Sequence, residues 1–237
     1  MRKGLTVCSR ELSSYFNSPV AYIVIVVYLL ICGWFFAANL FFDRQASLRG
    51  FFAMAPLMFV FFVPAISMGL LAEEQKHGTA ELLFTYPVTS FAVIAGKYGA
   101  ALVLMSLAVL LTFPYVLTIV SLGNPDLGAL FSGYFGLLLM GAAFMAVGLW
   151  ASSTVKNQLS AFILSFLVSF CLFIIDKFIA WMPPPLARVI GYFSIENHFK
   201  ALSRGVIDSR DLVYYLSVIV FFFCWSLYNV QRRKWRG

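Results

Sequence analysis

The chain has 237 residues, of which 62% are hydrophobic and 11% charged, with 26 phenylalanines and a formal net charge of +7. Soluble domains are roughly half apolar and a quarter charged, so this composition excludes a soluble globular fold. The positive charge therefore reads as membrane topology and contact with anionic lipid rather than nucleic-acid binding, in an integral membrane protein.

Residues 1–18 place Leu5, Cys8, Leu12, Tyr15 and Phe16 at helical spacing, with Arg2, Lys3, Arg10 and Glu11 on other faces. This predicts an interfacial helix that anchors the chain at the lipid headgroups or cradles a cytoplasmic partner. Six apolar windows of about 20 residues or more follow and predict six spans, at 20–42, 51–72, 92–121, 129–151, 158–180 and 212–231. The first is too long for a cleaved signal peptide and is read as part of the mature chain. Pro56 and Pro64 in the second span and Pro114 in the third predict kinks.

Between the second and third spans, Glu73-Glu74-Gln75-Lys76-His77-Gly78 leads into Thr79-Ala80-Glu81-Leu82-Leu83-Phe84-Thr85-Tyr86-Pro87-Val88. Thr79 is a helix cap, Glu81 sits where the helix dipole favours a negative charge, and Pro87 stops the helix. The helix over 79–86 is too short to span and too apolar to be a comfortable solvated loop. The fourth span carries Gly133, Gly136, Gly141, Ala142, Ala146 and Gly148, and the fifth carries Ser160, Ala161, Ser165 and Ser169. Such residues let helices approach closely, here within one subunit.

The longest connection, 181–211, faces outward. Pro183-Pro184-Pro185 breaks the fifth span. Ser194 then caps a helix with Ile195, Phe199 and Leu202 on one face and Glu196, Lys200 and Arg204 elsewhere, ending at Gly205, and this predicts an amphipathic lid or interfacial helix. Lys and Arg in the connections number ten on the side of the termini against seven on the other. With the cluster Arg232, Arg233, Lys234 and Arg236 after the last span, this places both termini in the cytoplasm.

Ionisable residues are almost absent from the span centres, which argues against a proton- or sodium-driven carrier. A channel would need a polar or charged lining, which is missing too. Cys8, Cys32, Cys171 and Cys224 have no CxxC spacing and read as small apolar fillers, while Met54, Met58 and Met68 read as packing rather than as a soft-metal path. No GxxxxGK[ST] loop, GxSxG elbow or HExxH helix occurs, so any ATP is hydrolysed on another chain. Glu73-Glu74 and His198 superficially resemble a CAAX-type intramembrane protease. Gly78 stands where that EExxxR pattern needs Arg, and Leu202 where the second motif needs Asn or Asp.

Glu74, Gly78, Thr79, Glu81, Leu82, Leu83, Pro87, Val88, Thr89, Gly96 and Lys97 resemble the loop pattern E-x-x-x-G-T-x-E-L-L-x-x-x-P-V-[ST] and the following G-K pair of the ABC-2 type permeases. The stretch from Glu196-Asn197-His198-Phe199 to Asp211-Leu212-Val213-Tyr214-Tyr215 is most similar to the gliding-motility-associated (GldF-like) branch of that family. The resemblance implies one all-α transmembrane domain over 1–237: interfacial helix 1–18, spans one and two over 20–72, coupling loop 73–91, spans three to five over 92–180, outer helical loop 181–211, and last span with basic tail over 212–237. It implies a subunit that is not itself an enzyme and binds no cofactor or metal, pairs with cytoplasmic ABC ATPase subunits that hold ATP and Mg²⁺, and dimerises with an identical or related permease. Glu73, Glu74, Gly78, Thr79, Glu81, Leu82, Leu83, Phe84 and Pro87 would form the ATPase-coupling interface, and Phe199, Leu202 and Arg204 would belong to the outer helix. Membrane lipids and an extracytoplasmic accessory protein complete the expected partners. The alternative is an anchor that transmits ATP-driven motion to an extracytoplasmic partner without transport.

Overall fold

A computed structural model describes residues 2–43, 47–76, 78, 89–123, 125–179, 181 and 183–234. Regular structure among them is entirely α-helical: α1 (Arg2–Asn17), α2 (Pro19–Asp43), α3 (Arg49–Ser67), α4 (Gly69–Lys76), α5 (Ser90–Leu110), α6 (Phe113–Leu122), α7 (Leu127–Thr154), α8 (Gln158–Ile179), α9 (Pro184–Gly191), α10 (Ile195–Ser203) and α11 (Ser209–Lys234). A segment surrounded by lipid must satisfy its backbone polar groups internally, and a helix does so without a partner.

Six helical stretches are long and apolar enough to cross a membrane: Ala21–Phe41, Arg49–Lys76, Ser90–Leu122, Leu127–Thr154, Gln158–Phe178 and Ser209–Arg232. They coincide with the six predicted windows. The second reaches further than expected because α4 prolongs α3. The second, third and fourth are 28, 33 and 28 residues long, and the helices that carry the first, fifth and sixth, α2, α8 and α11, have 25, 22 and 26 residues. Of their most apolar windows, the second, third and fourth spans bury 56%, 39% and 67%, against 22%, 17% and 17% for the first, fifth and sixth. α7 is the centre, packing against α3, α5, α8, α10 and α11.

The glycine-rich fourth span packs inside the subunit, as its composition predicts. A Cβ on Gly141 would lie 2.9 Å from the Phe59 ring, and one on Gly136 would lie 2.9 Å from Leu202. Ala161, Ser165 and Ser169 of α8 are likewise fully buried. The apolar surfaces left open include Leu30 and Trp34 of α2, Leu167 of α8 and Val220 of α11.

The two spans that carry Pro56, Pro64 and Pro114 are each interrupted once. α3 runs through Pro56 and Pro64, and the discontinuity in the second span falls at Met68, between α3 and α4. The third span breaks at Leu111–Thr112, and Pro114 lies in the first turn of α6, where a missing N–H is no loss. Thr112 steadies the break by donating to the Val109 carbonyl at 2.6 Å and lying 3.0 Å from the Tyr134 hydroxyl.

An even number of crossings brings the two termini to one end of the bundle. At that terminal end Asn229 donates to Ser153 at 3.1 Å and to Thr154 at 3.2 Å. The far end gathers the α6–α7 connection, α9 and α10.

Candidate coupling site at the terminal end

The site begins where the second span breaks. The Ser152 hydroxyl, fully buried on α7, accepts from the backbone N–H groups of Leu71 and Ala72, both at 2.9 Å, and donates to the Met68 carbonyl at 3.0 Å. A helix start needs acceptors for its first N–H groups, and here a neighbouring helix supplies one. Gln75 adds bonds to the Ser152 and Ser153 carbonyls, each 3.4 Å. α4 is thereby fixed to α7, with Glu73 exposed and Glu74 half-buried on its last turn.

Gly78 follows with φ 68°, a left-handed conformation that suits glycine and turns the chain just past the helix end. Of the expected interface residues, Glu73, Glu74 and Gly78 are thus placed. Thr79, Glu81, Leu82, Leu83, Phe84 and Pro87 lie outside the described residues. Past them, the Thr89 side chain caps α5 by accepting from the Ala92 N–H at 3.3 Å.

α1 lies against α5. A Cβ on Gly96 would come within 2.8 Å of the Gly4 carbonyl oxygen and of Val7, so glycine permits this backbone approach. Beside it, Lys97 is only 3% exposed, with Nζ 3.2 Å from Glu11 Oε1 and 2.9 Å from Glu74 Oε1. Arg10 lies 3.3 Å from the same Glu11 oxygen. The charges alternate Arg10, Glu11, Lys97, Glu74 across α1, α5 and α4, and a buried ammonium requires such partners. Tyr15 donates to the Ile66 carbonyl at 3.5 Å, and burial, reinforced by Glu11 and Glu73, pushes its hydroxyl pKa up. Sequence reading missed this junction. Lys97 was visible in the G-K pair, yet nothing in the spacing joins residues 11, 74 and 97. On its open side α1 presents a shallow concavity of about 820 Å³ lined by Thr6, Ser9, Arg10, Ser13, Ser14, Asn17 and Leu5.

At the far end Ser194 caps α10 as expected, accepting from the Asn197 N–H at 3.3 Å. Phe199 and Leu202 are buried against Gly136 of α7, whereas Arg204 is exposed just past the helix and Gly205 ends it at φ 94°. The helix is docked rather than lying free, and its charged face is paired. Glu196, 6% exposed, meets Lys177 at 2.7 Å and Lys200 at 3.3 Å. Lys200 also meets Asp176 at 2.5 Å. Burial alone would lower the Lys200 pKa, but the Asp176 hydrogen bond and the Glu196 charge outweigh it and hold it above its ordinary value. Its contribution is therefore present at neutral pH and is lost as pH rises through that raised value. His198 stacks on Tyr214 with ring centroids 4.1 Å apart, and its Nδ1 lies 2.6 Å from Asp211 Oδ1.

Removing opposite halves of this cluster is expected to have unequal effects. Glu196→Gln leaves two half-exposed lysines that water can solvate, and should cost at most about 1 kcal/mol. Lys177→Met with Lys200→Met strands the buried Glu196, and Asp176 beside it, and should cost about 3–5 kcal/mol. Thermal unfolding in detergent separates the two, and equal midpoints would contradict the buried-carboxylate account.

Among the described residues no group of three or more His, Cys, Asp or Glu side chains is placed to hold a metal ion. The arrangement defines a polytopic helical membrane protein whose ion pairs, among the described residues, lie at its two ends. Residues 10–228 match the sequence model of the family described as ABC-2 family transporter protein, and the chain belongs to that family of multi-pass transporter membrane subunits. No curated protein matches it.

Proposed function

We propose that the chain is the permease subunit of an ABC transporter in a bacterial cytoplasmic membrane, driven by a separate cytoplasmic ATPase and moving its cargo outward. The observation that carries this reading is the family match over residues 10–228 on a bundle of six membrane-crossing helices. Membership implies association with an ABC ATPase, and residues 79–86 are the segment proposed to meet it. Leu82, Leu83 and Phe84 would fill an apolar cleft while Glu73, which is exposed, and Glu81 meet basic residues at its rim. Two permease subunits, identical or related, would enclose the pathway. The far-end stretch from Glu196 to Tyr215 supports the narrower gliding-motility-associated lineage through its sequence resemblance alone.

Purification with the ABC ATPase encoded beside it is the test. The expected complex contains two permease chains by native mass spectrometry and hydrolyses ATP faster than the ATPase alone. One permease per particle, with the ATPase retained, would remove the dimer. Orientation is checked separately by Val206→Cys in a cysteine-free background, since Val206 is exposed at the far end. An impermeant thiol reagent added outside intact cells should label it, whereas labelling only from the cytoplasm would invert the topology.

A further inference from the structure

We propose that Lys97 is a positioning residue for coupling: its ammonium clasps α1 and the ends of both spans flanking residues 77–88, so that a load on that loop moves all three elements together. This rests on the coupling reading above and adds to it the part that receives the load. Glu74 stands near the end of the segment entering the loop, Lys97 on the helix that leaves it, and Glu11 on α1. Both carboxylates reach the same buried Nζ, at 2.9 and 3.2 Å. Apolar faces alone can slide past one another, whereas hydrogen-bonded ions of opposite sign fix a register. The close α1–α5 approach at Gly96 brings Glu11 within reach, and Arg10 offsets the second negative charge. Among the described residues these four charges balance, and they come from three separate elements.

The test uses the full chain with its ABC ATPase, comparing Lys97→Met with Lys97→Arg. Lys97→Met should keep its membrane level and bind the ATPase while lowering the stimulation of ATP hydrolysis by about fivefold or more, and Lys97→Arg should restore most of it. A second readout needs no ATPase. A Cβ at Gly99 would lie 3.6 Å from Cys8 Sγ, so Gly99→Cys, with Cys32, Cys171 and Cys224 replaced, should form a disulfide to Cys8 on mild oxidation. Lys97→Met should slow that disulfide by about fivefold. An unchanged disulfide rate overturns the clasp whatever the ATPase does. A slowed disulfide with wild-type stimulation overturns its role in coupling, and an arginine variant as impaired as the methionine one overturns the role of charge. Should Lys97→Met fail to accumulate, Glu11→Gln carries the same two readouts. A variant at Leu83 that leaves the ATPase response intact would instead remove the loop reading, and the disulfide assay would still decide the clasp.

Discussion

Leu83→Asp is expected to release the ATPase or to abolish its stimulation, while the permease still inserts and accumulates normally. Leu83 is proposed to enter an apolar cleft on the partner, where a new carboxylate without a counter-ion costs several kcal/mol, on the order of the loss from an unpaired buried charge. The position lies between two spans rather than within one, so insertion should not suffer. Glu81→Ala provides the contrast, because it removes a helix-dipole interaction worth roughly 0.3–1 kcal/mol and one rim contact. Pull-down of the ATPase and its hydrolysis rate measure both variants. A Leu83→Asp permease that binds and stimulates as the parent does would end the assignment of residues 79–86 as the coupling segment.

Ser152→Ala should destabilise the bundle by about 2–4 kcal/mol, because one hydroxyl satisfies two backbone N–H groups and each unsatisfied buried donor costs about 1–3 kcal/mol. The change adds no bulk, so the loss reports hydrogen bonds rather than packing. Its effect should be concentrated at α4, which is held to α7 through this oxygen. Hydrogen exchange at Leu71 and Ala72 should rise together with the fall in thermal midpoint. An unchanged midpoint would mean that the N–H groups find other acceptors.

The spans were legible because lipid demands long uninterrupted apolar windows, and few other structures use them. The cap at Ser194 and the apolar face of α10 were legible too, since capping and helical spacing are local properties. Distant polar partners were not. Glu196 was read as lying away from the apolar face, and its counter-ion Lys177 sits on a different helix, so only packing reveals that the carboxylate is buried and paired. Ser152 carries no sequence mark that sets it apart from Ser153 beside it, because its role depends on where the second span breaks. Lys97 was seen as half of a dipeptide pattern, and its two carboxylates come from segments far away in sequence. Pro114 was read as a kink from its place in an apolar window. The structure resolves it into a break at Leu111–Thr112, with Pro114 in the first turn of α6 and Thr112 hydrogen-bonded across the break.

The uneven burial of the six spans has a consequence for how the bilayer acts on this protein. At 1.5 Å per residue α2, with 25 residues, and α8, with 22, measure about 38 and 33 Å, enough to cross roughly 30 Å of hydrocarbon with some tilt. The second and fourth, at 28 residues, measure about 42 Å, and the third follows a longer path still. The first and fifth spans have most of their surface open, and the second and fourth are mostly shielded by protein. A thicker or thinner membrane therefore acts first on the periphery. The long second and third helices carry their ends past the hydrocarbon, so the junction of Glu74 with Lys97 need not be built within the fatty layer.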